Sequence, residues 1–144
     1  LPQDMKLLEI SKSVIDNHKH YRNIPHIKSW LINNWGDYKN FQKYGFGIAI
    51  IHKDIVVSWS LADCVFQDEC EIGIHTDKDY RRQGYATITI QAMLNLADKL
   101  GYHKVGWHCG ADNIGSYKSA EKCGFVKSCQ YFGFYGRFNE NYLI

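Results

Sequence analysis

The apolar positions of the chain follow two periods, and the switches between them mark out its elements. MKLLEI (5–10) predicts a first strand, and Ser11 offers an N-cap for a helix over 11–20. Asn23-Ile24-Pro25 ends that helix. Pro25 suits the first turn of the next one, where Ile27, Trp30, Leu31 and Trp35 recur at helical spacing. Residues 36–44 predict a short helix that stops before Gly45. From Phe46 the period becomes two. Residues 46–52 form a strand, Lys53-Asp54 a tight turn and 55–62 the hairpin partner. In that partner Ile55, Val57, Trp59 and Leu61 alternate with Val56, Ser58 and Ser60. Ile72 and Ile74 mark another half-buried strand, bounded by Asp77, Lys78 and Asp79. The helical period returns at Gly84, with Ala86, Ile90, Met93, Ala97 and Leu100 on one face, and Gly101 ends it. Residues 104–109 predict a strand. Asp112 or Asn113 caps a helix running through Lys122, and an aromatic-rich strand region, 125–138, closes the pattern. Three strands in a meander followed by a βαβ crossover predict an α/β (α+β) domain over 1–144. Its mixed, mostly antiparallel sheet should carry helices on both faces.

Composition narrows the class. The 144 residues are 45% hydrophobic and 22% charged, which is globular and not disordered. The net charge of +2 comes from interleaved basic and acidic residues, so neither nucleic acid nor a membrane is expected as a partner. No apolar run approaches the ~20 residues that span a bilayer, and no signal peptide is visible, so a cytoplasmic location is expected. Five cysteines without CxxC spacing predict reduced, largely buried thiols. His18 and His20 fall on different helical faces, and no metal site is expected. Leu1 is not an initiator methionine, which fits a piece processed or excised from a longer chain.

The candidate chemistry lies at Arg81-Arg82-Gln83-Gly84-Tyr85-Ala86, between a strand and a helix. The first turn of a helix has four backbone N–H groups without intrahelical partners, and with the helix dipole they suit a phosphate or pyrophosphate. Gly84 and Ala86 keep side chains small there, and two arginines adjoin. A charged turn entering an ordinary amphipathic helix is the plainer reading. A dinucleotide fold would need GxGxxG, which Gly-Tyr-Ala does not supply.

Arg81-x-x-Gly84-x-Ala86 matches the [Q/R]-x-x-G-x-[G/A] signature of the GNAT superfamily of acyl-CoA-dependent N-acetyltransferases, which the element order also resembles. Asn113-x-x-Ser116-x-x-x-Ala120-Glu121-Lys122-x-Gly124-Phe125 is similar to a segment of one GNAT subset, which includes the enzymes that acetylate ribosomal protein N-termini. EIGIHT, YRRQGYAT, WHC and AEKCGF together resemble the zwittermicin-resistance-type GNAT domain over about residues 44–135. The resemblance implies a sheet of six to seven strands with two of them splayed to form a slot for acetyl-CoA. It implies that Ile74, His75 and Thr76 meet the pantetheine arm by backbone groups. Arg81, Arg82, Gln83, Gly84, Tyr85, Ala86 and Thr87 would surround the pyrophosphate, Asn113 would bond the pantetheine, Ser116 would lie near the sulfur, and Lys122 would approach the phosphates.

The implied reaction is direct transfer of acetyl from acetyl-CoA to a primary amine, of a small antibiotic-type molecule or a peptide N-terminus, in a monomer or homodimer. The amine must lose a proton and the carbonyl oxygen needs a donor. Glu71 is the expected base, with Glu69 or His75 as substitutes. The tyrosine that many members place seven residues after the asparagine is Ala120 here, so the acid's role falls to Ser116, Tyr117 or no residue. That departure motivates an alternative, a CoA-binding regulatory or interaction domain without transfer. Loops 20–45 and 126–138 are expected to fix the acceptor. Tyr131, Phe132, Phe134, Tyr135 and Phe138 read as packing residues, not as an RNA surface, since basic residues are sparse beside them. Trp107-His108-Cys109 is not read as a Cys/His pair, because neighbours on a strand face opposite ways.

Overall fold

The computed structural model of the protein describes residues 1–133. Its elements run β1 (Met5–Glu9), α1 (Lys12–Asn17), α2 (Ile24–Trp35), α3 (Tyr38–Tyr44), β2 (Gly47–His52), β3 (Ile55–Phe66), β4 (Glu69–Thr76), α4 (Tyr85–Lys99), β5 (Lys104–Gly106) and α5 (Ile114–Lys122). The strands form one sheet in chain order, antiparallel from β1 to β4 and parallel between β4 and β5. The mixed, mostly antiparallel architecture is therefore present.

The strand count is corrected to five among the described residues. Residues 125–133 form no strand, and 134–138 lie outside the described residues. Lys127, Ser128, Cys129 and Gln130 interrupt the apolar alternation that a paired strand would need. Tyr131 and Phe132 are exposed and not in the core, while Phe134, Tyr135 and Phe138 lie outside the described residues. The strand expected at 104–109 stops at Gly106, and the one expected to end at residue 62 continues to Phe66.

Helices cover both faces. Ile24, Ile27 and Leu31 of α2 and Phe41 of α3 pack with Ala49, Ile51, Val56, Trp59 and Leu61 on one side. Ile90, Met93, Leu96 and Ala97 of α4 pack with Ile48, Ala62, Cys70 and Ile72 on the other. Burying each such aliphatic side chain contributes about 1.5–3 kcal/mol. The face of β3 is reassigned at Val57. The register slips between Ile50 and Ile51, so Val57 sits in a bulge and joins Ile50 and Tyr85 on the α4 side, while Val56 faces α2. An extra residue in one strand reverses the alternation beyond it, which strict period-two reading misses. On α4, Leu100 is exposed, while Tyr85 and Thr89 take buried places.

Ser58 and Ser60 are buried on the α4 face, and both are satisfied. Ser60 Oγ donates to the Gly73 carbonyl at 2.7 Å, and Thr89 Oγ1 donates to Ser58 Oγ at 3.0 Å. This polar seam ties β3 to β4 and to α4 without leaving an orphaned hydroxyl. The cysteines are free, but only Cys70 is buried; Cys64, Cys109 and Cys129 are exposed, which corrects the expectation of largely buried thiols. Cys70 lies under α4, and burial pushes its thiol up to about 11. None of the described helices is long and apolar enough to cross a membrane.

Candidate functional site

β4 and β5 share only three rungs, Glu69 with Lys104, Cys70 with Val105 and Glu71 with Gly106. Beyond Glu71 the two strands part, and β4 runs on to Thr76 with no strand on that edge among the described residues. Past its end Asp77 opens a short 3₁₀ turn, Lys78–Tyr80, by accepting the Asp79 N–H at 3.0 Å. Arg82 (φ 60°) and Gly84 (φ 86°) then take left-handed conformations that swing the chain into α4. Glycine is the residue that does this without strain. A Cβ at Gly84 would meet no protein atom within 4 Å, so the space before the first turn of α4 is open.

That space belongs to a cleft of about 680 Å³ between the β4 end, the α4 start and α5. Of the residues singled out from sequence, Ile74, His75, Thr76, Arg81, Arg82, Gly84, Tyr85, Ala86, Thr87, Asn113, Ser116 and Lys122 all line it. Gln83 does not; its Nε2 donates to the Asp79 carbonyl at 3.2 Å, bracing the turn from behind. Glu71 does not line it either, and sits instead at the parting of β4 and β5. Tyr80, Gly115, Lys118 and Ser119 line the cleft and were not singled out. The signal for Lys118 was present: it stands four residues before Lys122, on the same helical face. Arg81, Arg82, Lys118 and Lys122 bring four positive charges to the cleft, with no carboxylate in its lining among the described residues. Arg81 Nε donates to the Thr76 carbonyl at 3.1 Å, which fixes its stem across the end of β4.

On α5, Asn113 Oδ1 accepts the Ser116 N–H at 3.1 Å, so the asparagine is the helix N-cap and has its amide nitrogen left as the side-chain donor. Trp107 Nε1 donates to Ser116 Oγ at 3.1 Å, holding that hydroxyl at the cleft wall. Tyr117 OH donates to Glu121 Oε1 at 2.8 Å on the exposed side of the helix. Ala120 is buried.

The other face of β4 carries different chemistry. The His75 ring stacks on Trp59 with centroids 4.6 Å apart and meets the edge of His26 at 4.7 Å. Burial lowers its pKa, and electrostatic repulsion from the neighbouring His26 and Arg81 adds to the effect. Asp63, bulged out of β3, accepts from Trp30 Nε1 at 2.7 Å and Asn34 Nδ2 at 2.5 Å. Burial raises the Asp63 pKa and the neighbouring Glu71 charge raises it further, against those two hydrogen bonds. Glu71 Oε1 contacts Nδ1 of His108. A Cβ on Gly73 would lie 2.3 Å from the Trp30 ring, so only glycine lets α2 close this near the strand. Below His75, Asp77 is buried and accepts from Arg22 (3.1 Å) and Asn23 (2.7 Å). Burial opposes its charge, but the hydrogen bonds from Asn23 and the Asp79 N–H, with Arg22 beside it, hold its pKa below the ordinary value.

A family model described as GNAT acetyltransferase matches residues 1–134. The chain belongs to the GNAT acetyltransferase family. It is similar to the uncharacterized N-acetyltransferase YjdG of Bacillus subtilis (strain 168), at 31% identity over 80% of this chain and 70% of that protein. Among solved structures it is similar to a GCN5-related N-acetyltransferase-like protein from Streptococcus suis 89/1591. That match has a TM-score of 0.70 and 26% identity, and covers 86% of this chain and 47% of that one. It shares its fold with the aminoglycoside N-acetyltransferase AAC(6′)-Iy in complex with CoA, with a TM-score of 0.66, 13% identity and coverage of 96% and 99%. The GNAT chain described here thus spans about half the length of the streptococcal relative. In this GNAT chain the signature residues Arg81, Gly84 and Ala86 and the second segment, from Asn113 to Lys122, face each other across one cleft.

Proposed function

We propose that this GNAT domain binds acetyl-CoA in the cationic cleft and transfers its acetyl group to a primary amine. The observation that carries the reading is the joining of three features in one cleft: an unpaired β4 edge, the open first turn of α4 and four cations. The N–H groups of that turn suit the pyrophosphate. Lys118 and Lys122 of α5 suit further phosphates, and the free edge at Ile74, His75 and Thr76 suits an extended pantetheine. The residues present fit the ligand in charge, in length and in the space before Gly84. The aminoglycoside enzyme of like fold, in complex with CoA, supports the same choice.

The acceptor belongs on the other side of β4, where α2 and the Asp63–Glu71 carboxylates stand. Nitrogen attacks the thioester carbonyl, a C–N bond forms, the C–S bond breaks and the thiolate leaves with the electron pair. Glu71, at the parting of the strands, is the carboxylate assigned to the amine's proton, directly or by relay. Ser116, held by Trp107 at the cleft wall, is the hydroxyl assigned to the leaving sulfur, since Ala120 offers none. The acceptor is a small antibiotic-type amine or a peptide N-terminus.

Purified protein with acetyl-CoA and a panel of primary amines should release thiol in an amine-dependent way. Gly84→Glu, which places a carboxylate in the open space, should weaken CoA binding at least tenfold by calorimetry while circular dichroism stays native. Unchanged affinity would remove the phosphate assignment. The buried Ala120 favours a second reading, a CoA-binding regulatory domain. CoA binding without any amine-dependent release would select it.

A further inference from the structure

Two features meet at the parting of β4 and β5. Glu71 is the last β4 residue paired to β5, and His108 lies two residues beyond its partner Gly106, where β5 has already ended. Their side chains touch through Glu71 Oε1 and His108 Nδ1. Alternation continues past the end of β5: Val105 and Trp107 face α4 with Cys70, so His108, two residues after Glu71's partner Gly106, falls on the face of Glu71. The carboxylate is the more recessed of the two, with its side chain 27% exposed against 56% for the imidazole.

A neutral imidazole carries one N–H and one lone pair, and a carboxylate at one nitrogen selects the tautomer with the proton on that side. With Nδ1 turned to Glu71, the lone pair is on Nε2, which is the reachable basic atom of the pair. We propose that His108 Nε2 takes the proton of the attacking amine and that Glu71 positions the ring and stabilises the imidazolium that forms. This rests on the acetyl-transfer reading above. As nitrogen bonds to the carbonyl carbon it becomes cationic; its proton passes to Nε2, the C–S bond breaks, and the thiolate takes a proton from solvent. His108 then loses its proton to water before the next turnover.

The surroundings agree with this division. Among the described residues, the titratable groups facing the pair are Asp63 and Cys64 of β3, together with Tyr131, whose ring meets His108 edge-on at 5.8 Å. Asp63 is held by Trp30 and Asn34 and is not hydrogen-bonded to His108 among the described residues, so it adds negative potential without competing for Nδ1. These groups do not form a metal site; no group of three or more His, Cys, Asp or Glu among the described residues is placed to hold a metal ion. Cys109, the sequence neighbour of His108, is exposed and takes no part.

The test combines a tautomer measurement with a pH profile on the full chain. Nitrogen NMR of the imidazole should show His108 protonated at Nδ1 in the wild type and a mixture of tautomers in Glu71→Ala. A wild-type ring protonated at Nε2 overturns the proposal. With acetyl-CoA and the panel amine that gives the fastest thiol release, His108→Gln should lower kcat/KM by about 10²-fold or more. It should also abolish the acidic limb of the pH profile and leave KM for acetyl-CoA within about twofold. Glu71→Gln should keep that limb but move it to lower pH, with the smaller loss. Loss of the limb in Glu71→Gln with its survival in His108→Gln makes Glu71 the base and sinks the idea. Absence of release from the wild type refutes the transfer reading itself, and the base assignment with it.

Discussion

Asp77 joins more of the molecule than any other charged residue described. Its two oxygens receive Arg22, Asn23 and the Asp79 N–H, and Asn23 also donates to the Val56 carbonyl at 3.0 Å. The α1–α2 connection, the end of β4 and the turn into α4 are therefore held at one carboxylate. Replacing it by alanine takes the acceptor from the Asp79 N–H and from one hydrogen of the Asn23 amide, while Arg22 keeps Asp79, and Asp77→Ala should cost about 1–3 kcal/mol of stability. Chemical denaturation measures this directly; a change below about 0.5 kcal/mol would show that solvent replaces the carboxylate at no cost. Asn23 takes a left-handed φ of 78° at the start of α2, which asparagine tolerates better than most residues. Its side chain gives that conformation a purpose, since the same turn aims the amide at Asp77.

At the scale of elements, α5 is the wall of the cleft that sequence reading captured least. Lys122 was singled out from the resemblance and Lys118 was not, although both reach the same space. Lys118→Gln with Lys122→Gln should weaken CoA binding by about two- to tenfold at low salt, as expected of exposed charge pairs, with a smaller effect at high salt. An equal loss at all salt concentrations would point to a packing defect in place of lost charge. The β4–α4 turn was legible because its chemistry is local: the residues that need φ above zero, small size and positive charge are neighbours in the chain. The strand and helix order was legible for the same reason. What was not legible depends on distant pairing. The bulge at Val57 exists only relative to Ile50 and Ile51, the early end of β5 only relative to β4, and the contact between Glu71 and His108 only through the pairing of Glu71 with Gly106. Residues 125–133 show the converse, part of an aromatic run that reads as a strand yet pairs with none among the described residues.

For the whole molecule, the aromatic layer between α2 and the sheet couples stability to pH. His75 has a lowered pKa in the folded protein because burial and its neighbours disfavour its charge. The unfolded chain then binds a proton more readily than the folded one. The contribution to stability is full above the unfolded value of about 6.5 and is lost as pH falls through the lower folded value. Melting temperature should therefore drop between about pH 7 and pH 5, and His75→Gln should flatten that part of the curve. An identical pH dependence in the variant would mean that the other histidines carry it.

The three-rung seam between β4 and β5 has a consequence beyond ligand shape. From Ile74 to Thr76 β4 pairs with no strand on its β5 side among the described residues, and such an edge in other settings recruits a second chain and seeds aggregation. Here it lies at the floor of a recess ringed by Arg81, Arg82, Lys118 and Lys122, whose mutual repulsion resists the approach of a second copy's equally positive rim. Acetyl-CoA would neutralise those charges and cover the edge in one event. On the acetyl-CoA reading proposed above, filling the cleft would guard solubility as well as begin turnover.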